Sequence, residues 1–238
     1  FLTSSIRNCK TPSAKLKGLE LFIKFSRHIS DDCRLQRIVP YTVAMLTTDK
    51  APVIRAMAIA TLDAVLAMVQ SVPSSDTQVF PEFILPAIHQ ISHTDTDELV
   101  LVALAKSIGS MADSARRFLE CSQLLRQRVI VATSTANTVA GAGGVIGGTG
   151  GMSTGSGKVM QQCQEGHDRE LASLTKAFSE VVQDLLTKHA TVAVKRAFLK
   201  DCLKLCVFFG QQRTNELVLP LLITFLNDRN WRLRESFF

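Results

Sequence analysis

Apolar residues along this chain recur at the spacing of an α-helix and nowhere, over any sustained stretch, at the spacing of a strand. That restricts the fold to an all-α one. From Phe80 they fall at Phe80, Phe83, Ile84, Ala87, Ile88 and Ile91, one face of a 3.6-residue period. Leu171, Leu174, Phe178, Val181, Val182, Leu185 and Leu186 repeat the pattern. So do Leu217, Val218, Leu221, Leu222, Phe225 and Leu226.

The predicted helices come in pairs, and the pairs share a layout. Residues 37–69, "RIVPYTVAMLTTDKAPVIRAMAIATLDAVLAMV", read as a helix with an internal proline, a short polar turn and a second helix from Pro52. Residues 83–111 follow the same plan, and residues 217–238 begin it again. Pro40 and Pro86 each stand nine residues before an aspartate, Asp49 and Asp95, and Pro220 stands eight before Asp228. Residues 13–29 read as the second helix of a preceding pair, and 168–210 as a further pair turning near His189. Two helices of about 40–47 residues in all have the period of HEAT and armadillo repeats. One pair cannot cover its own apolar faces, so neighbours must stack, which predicts a HEAT/armadillo-type α-solenoid. Proline inside a helix costs about 3 kcal/mol. Because apolar spacing continues through Pro86, we expect a tolerated kink there rather than a helix start.

The same register picks out polar positions. Arg55 stands six residues after Asp49, and Arg234 six after Asp228. An acid in the turn and a base early in the second helix can hydrogen-bond between neighbouring repeats. Asp49, Arg55, Asp228 and Arg234 are therefore read as a structural ladder and not as catalytic residues. Leu101 replaces the base in one pair and Ala190 the acid in another, so the ladder is expected to be partial.

One stretch invites a different reading. Residues 141–158, "GAGGVIGGTGGMSTGSGK", end in Gly-Lys. A phosphate loop needs G-x-x-x-x-G-K-[ST], with backbone N–H groups around the phosphates, a lysine and a metal-binding hydroxyl. Here Met152 stands where the first glycine should be, and Val159 where the hydroxyl should be. The dinucleotide fingerprint fails as well, since the three candidate G-x-G starts lead to Ile146, Ser153 and Met160. Composition points instead to a flexible Gly/Ser/Thr insertion over residues 133–165, between repeats at 1–132 and repeats continued over 166–238.

Composition narrows the function further. The six cysteines are scattered without a C-x-x-C, and Cys202 and Cys206 are a helical pair with no histidine nearby. They read as small core residues of a reducing compartment. His89 and His93 share a helix face, but Gln90 stands where a metalloprotease helix has its glutamate, and no third ligand is evident. No metal or cofactor site is expected. The net charge of +6 is spread over the chain without a long basic run or an aromatic RNA-binding motif, so nucleic acid is not an expected partner. No apolar stretch reaches the roughly 20 residues of a membrane span. The absence of a starting Met and the ending "RESFF" suggest a piece of a longer protein.

Five segments carry a resemblance: "RIVPYTVAMLTTDKAPVIRAMAIATLDAVLAMV", "VFPEFILPAI", "RRFLECSQLLR", "KRAFLKDCLKLCVFFG" and "ITFLNDRNWRLRESFF". The chain resembles the central HEAT region of the large regulatory subunit of class III phosphatidylinositol 3-kinase, over nearly its whole length apart from residues 133–165. The resemblance implies a kinase-like domain on one side, binding ATP, and a WD40 propeller on the other. It implies partners too, the lipid-kinase catalytic subunit and a coiled-coil autophagy subunit. It also implies a peripheral cytoplasmic location on endosomal, autophagosomal or vacuolar membranes. None of the kinase signatures (H-R-D, D-F-G, V-A-I-K) occurs in this segment, so it is expected to be a non-catalytic scaffold. A HEAT adaptor of another class, such as a transport receptor or a basic nucleic-acid-binding solenoid, is the alternative.

Overall fold

The computed structural model describes residue 6, residues 9–140 and residues 154–237, without side-chain placement at 74, 130–140, 154–160, 162 and 163. Its helices are α1 (Pro12–Ser26), α2 (Val39–Thr48), α3 (Pro52–Met68), α4 (Leu85–Thr94), α5 (Glu98–Ala140), α6 (Thr154–Thr187), α7 (Val192–Arg213), α8 (Leu219–Leu226) and α9 (Trp231–Glu235). Among the described residues there is no strand. The chain is an all-α solenoid of antiparallel pairs: α2 packs with α3, α6 with α7 and α8 with α9, and the second pair, α4 with α5, meets through Phe80, just before α4, and Phe118. The trailing helices α1, α3, α5 and α7 pack side by side as one layer, and the leading helices α2, α4 and α6 form the other.

Each pair turns where the sequence supplies a start signal. Pro52 opens α3, where its missing N–H has no helical partner to lose. Thr191 caps α7 by accepting from the Val194 N–H at 3.3 Å, and Asn230 caps α9 by accepting from the Arg232 N–H at 3.0 Å. At its far end α7 is broken at Gly210, whose φ of 72° is a conformation that only glycine adopts without strain.

The prolines show how a leading helix tolerates one. Pro40, Pro86 and Pro220 each stand second in α2, α4 and α8, and each helix is entered from a five-residue π-helical turn, at Arg34–Ile38, Phe80–Ile84 and Thr214–Val218. At the junctions the Val39 N–H bonds to the Arg34 carbonyl, Leu85 to Phe80 and Leu219 to Thr214, five residues back instead of four. A proline ring collides with the carbonyl four residues before it. Widening the helix by one residue just upstream moves that carbonyl away, so the rod continues through the proline.

That extra residue corrects one expectation. Phe83 was placed on the core face, yet it is 41% exposed, while Phe80, Ile84, Ile88 and Ile91 are buried. In a π-helical turn the chain needs more than four residues to come round, so Ile84 falls beneath Phe80 and Phe83 is rotated out. Leu226, placed on the apolar face of α8, is likewise 44% exposed.

The core runs continuously along the stack. On α5 the buried set is Val100, Leu101, Leu104, Ala105, Ile108, Met111, Ala112, Ala115, Phe118 and Leu119, an unbroken helical stripe. Edge-to-face aromatic pairs join leading to trailing helices: Phe22–Tyr41, Phe80–Phe118 and Phe178–Phe208, with ring centroids 5.4, 5.0 and 5.3 Å apart. Between α5 and α7 the backbones come very close. A Cβ added at Gly109 would meet the Asp201 carbonyl oxygen at 2.4 Å, so only glycine allows this approach.

Helix occupies both ends of the interval read as an insertion, up to Ala140 and again from Thr154, and Gly157 and Lys158 lie inside α6. The glycine run at 141–153 lies outside the described residues.

Candidate functional site

The polar residues that the repeat register singled out line up along the inter-helix turns. Asp49, Asp95 and Asp228 each follow a leading helix, and each uses one carboxylate oxygen to close its turn. They accept from the Ala51, Asp97 and Asn230 N–H groups at 3.0, 3.0 and 2.9 Å. The other oxygen takes a cation from the preceding repeat. Lys15 on α1 reaches Asp49, Arg55 on α3 reaches Asp95, and Lys195 on α7 reaches Asp228 at 2.8 Å. The Arg55–Asp95 contact is bidentate, with Nε 2.6 Å and Nη2 3.0 Å from the two carboxylate oxygens. Arg55 also donates through Nη1 to the Asp49 and Lys50 carbonyls, so one guanidinium ties two turns together.

The electrostatics follow the geometry. The hydrogen bond that Arg55 donates to Asp95 raises the Arg55 pKa above its ordinary value, against the opposing effect of burial. At Asp49 burial pushes the pKa up, but the Lys15 ammonium and the Ala51 N–H outweigh it and the net direction is down. At Asp228 the hydrogen bond from Lys195 leads the lowering, followed by the Asn230 N–H.

Of the four positions named from sequence, Asp49, Arg55 and Asp228 lie in this ladder. Arg234 is exposed and makes no ion pair among the described residues; its charge helps hold Asp228 ionised. Each rung joins residues 33 to 40 positions apart, between neighbouring repeats as expected, and its other donors, Lys15 and Lys195, were not named from sequence.

The ladder also shifts one register. Asp49, Asp95 and Asp228 each stand three residues before the first residue of a trailing helix, and in the α6–α7 turn that position is His189 rather than Ala190. Six residues on is Lys195, the donor that the misplaced register hid. The rung between the second and third pairs is therefore missing on both sides, with Leu101 as donor position and His189 as acceptor position. Leu101 is 2% exposed, the His189 Nε2 is buried without a partner, and this turn is closed by the His189 backbone carbonyl, which accepts from the Thr191 N–H at 2.7 Å.

At that junction other residues take over. The His93 ring on α4 lies with Nε2 2.8 Å from the Asp184 carboxylate on α6. Lys188, just past α6, puts its ammonium 2.7 Å from Asp184 and 2.9 Å from the His93 Nδ1. Lysine can only donate, so Nδ1 accepts and Nε2–H donates to Asp184. The His89 ring lies against His93 with ring centroids 4.4 Å apart and the ring planes tilted by 57°. The third partner that sequence could not supply for this histidine pair is Asp184, brought in from a different helix.

Hollows open on the stack among the described residues. A groove of about 470 Å³ runs between α4, α5 and α6, floored by Phe80, Phe118 and Leu174 and edged by His89 and Glu170. A polar hollow between α3, α5 and α7 is lined by Asp63, Lys106, Ser107, Ser110, Asp201 and Lys204. Here the Ser110 N–H donates to the Asp201 carboxylate at 2.8 Å, and Asp63 keeps one buried oxygen without a partner. Burial pushes the Asp63 pKa up to about 6, with the Ser110 hydrogen bond opposing and the Asp201 charge reinforcing. Cys202 and Cys206 pack against the core, and burial raises both thiol pKa values. Helices, turns and ion pairs thus form one repetitive polar seam along the stack.

A family comparison bears on this architecture. The family described as "PIK3R4-like, middle domain" matches residues 1–238. The chain belongs to that family. As a PIK3R4-like middle domain it is 36% identical over 236 residues to the "Probable serine/threonine-protein kinase vps15" of Dictyostelium discoideum, covering 99% of this chain and 11% of that protein. It is 35% identical over 240 residues to the "Serine/threonine-protein kinase VPS15" of Arabidopsis thaliana, covering 100% of this chain and 15% of that protein. With the protein of the same name from Saccharomyces cerevisiae it shares 28% over 226 residues, 94% of this chain and 14% of the relative. The PIK3R4-like middle domain thus spans about a seventh or less of these relatives. No helix among its described residues is long and apolar enough to cross a membrane.

Proposed function

We propose that this segment is a non-catalytic HEAT-repeat scaffold within the regulatory subunit of a class III phosphatidylinositol 3-kinase complex. In that reading it spaces a kinase-like domain from a WD40 propeller and presents helix faces to the lipid-kinase catalytic subunit and a coiled-coil subunit. It would act in autophagy and endosomal or vacuolar sorting, on membranes reached through the parent complex. The observation that carries the reading is the family match along the whole chain, together with the likeness to relatives named as VPS15 protein kinases. The ion-pair ladder supports it, because bonds between successive repeats stiffen a stack that must hold its ends at a fixed separation.

The test is affinity purification of the full-length protein under mild salt, followed by assay of the eluate for phosphatidylinositol 3-kinase activity. Co-eluting activity, kept when residues 141–153 are deleted, is the expected result. An eluate without lipid kinase, or one in which RNA or DNA is held with steep salt dependence, would favour an adaptor of another class.

A further inference from the structure

His89 and His93 stand one turn apart on α4, on the face turned to α6, and Asp184 meets them from that helix. One nitrogen of each ring and one Asp184 oxygen all lie within 4.8 Å of one another. Two imidazoles one helical turn apart are a recurrent transition-metal pair, and a carboxylate from a second element completes a three-ligand set with a position left for solvent. From these residues we propose that the α4–α6 junction is a binding site for a first-row divalent transition metal of the zinc class.

Three further observations support the assignment. The Lys188 ammonium already sits against both Asp184 and His93, so the place draws a cation. Lys188 is 49% exposed and free to swing into solvent when a doubly charged ion replaces it. His89 edges the apolar groove, which leaves its ring room to turn, and from within 4.8 Å of one another the ligand atoms need close by only roughly 1 Å for metal bonds of about 2.0–2.2 Å. Imidazole with carboxylate selects zinc, copper or nickel over magnesium and calcium, which prefer all-oxygen sites. The location also has a structural meaning. This is the junction whose ladder rung is missing, so the ion would clip together the two repeats that Leu101 and His189 leave unpaired.

Zinc(II) titrated calorimetrically into the full chain tests this, with magnesium as the control. Wild type is expected to show a saturable site that magnesium does not compete for. His89→Ala should weaken that site at least about tenfold. His89 takes no part in the His93–Asp184–Lys188 hydrogen bonds, so this variant keeps the junction intact. Lys188→Ala removes the competing ammonium and should tighten it. Zinc should also raise the Tm of wild type more than that of His89→Ala, which separates this site from any cysteine that takes zinc elsewhere. Equal zinc affinity in wild type and His89→Ala, or no saturable binding in wild type, overturns the proposal.

Discussion

Arg55 and Lys195 occupy equivalent positions but not equivalent environments. Arg55 and Asp95 have side chains only 16% and 6% exposed, whereas Lys195 and Asp228 are 18% and 21% exposed. Removing one partner of a buried pair strands the other charge. Arg55→Ala, which leaves the nearly buried Asp95 without its cation, should therefore cost about 1.5–3 kcal/mol in urea unfolding, and Lys195→Ala less, about 1 kcal/mol. Asp63 makes an opposite prediction. Its folded-state pKa is raised to about 6 from an ordinary value of 3.8, so the folded form binds the proton more tightly than the unfolded one. The cost of ionising it is absent at low pH, grows from about pH 4 to about pH 6, and is constant above that. Asp63→Asn should stabilise the chain by about 1–2 kcal/mol at pH 7.5 and by much less at pH 4, measured as the difference from wild type at each pH. Neither Asp63 nor Asp184 was legible in the sequence, because their importance comes from neighbours on other helices. Asp49, Arg55 and Asp228 were legible, because a repeat displays them at a fixed offset.

The helices themselves were read with little error where the apolar period was clean. The turn near His189, the start at Pro52 and the end at Gly210 all fall where residue chemistry placed them. What a fixed 3.6-residue period cannot show is a residue inserted within a helix. The π-helical turns before Pro40, Pro86 and Pro220 add such a residue, and before Pro86 the assigned face slips at Phe83. Phe80 and Phe83 test this directly. Phe80 is 1% exposed and packs on Phe118, so Phe80→Ala should cost about 3–5 kcal/mol. Phe83→Ala should move the thermal midpoint little, since exposed substitutions usually stay within about 0.5 kcal/mol. Comparable losses in the two variants would mean that the helix is not widened before Pro86.

Across the whole molecule, stability resides in contacts between successive repeats, as in any quasi-one-dimensional array. The second and third pairs lack a ladder rung and are joined instead by the close approach of α5 to α7 at Gly109 and by the Ser110–Asp201 hydrogen bond. The neighbour that a Gly109 methyl would strike is backbone, which cannot rotate aside. Gly109→Ala should force the two halves of the stack apart at a cost of about 1–3 kcal/mol. In differential scanning calorimetry the variant should unfold in two resolved transitions where wild type shows fewer, since only this junction is loosened. Retention of the wild-type profile would place the coupling elsewhere.

The gap at Leu101 and His189 also has a genetic reading. An arginine restored at position 101 alone would bury a guanidinium with nothing to accept from it. An aspartate at 189 alone would regain its turn hydrogen bond but face leucine. Leu101→Arg should therefore be harmful by itself and be rescued in part by His189→Asp, a sign epistasis that a double-mutant cycle would measure. The order of the two substitutions therefore matters: the rung can be built with the aspartate first, and not with the arginine first.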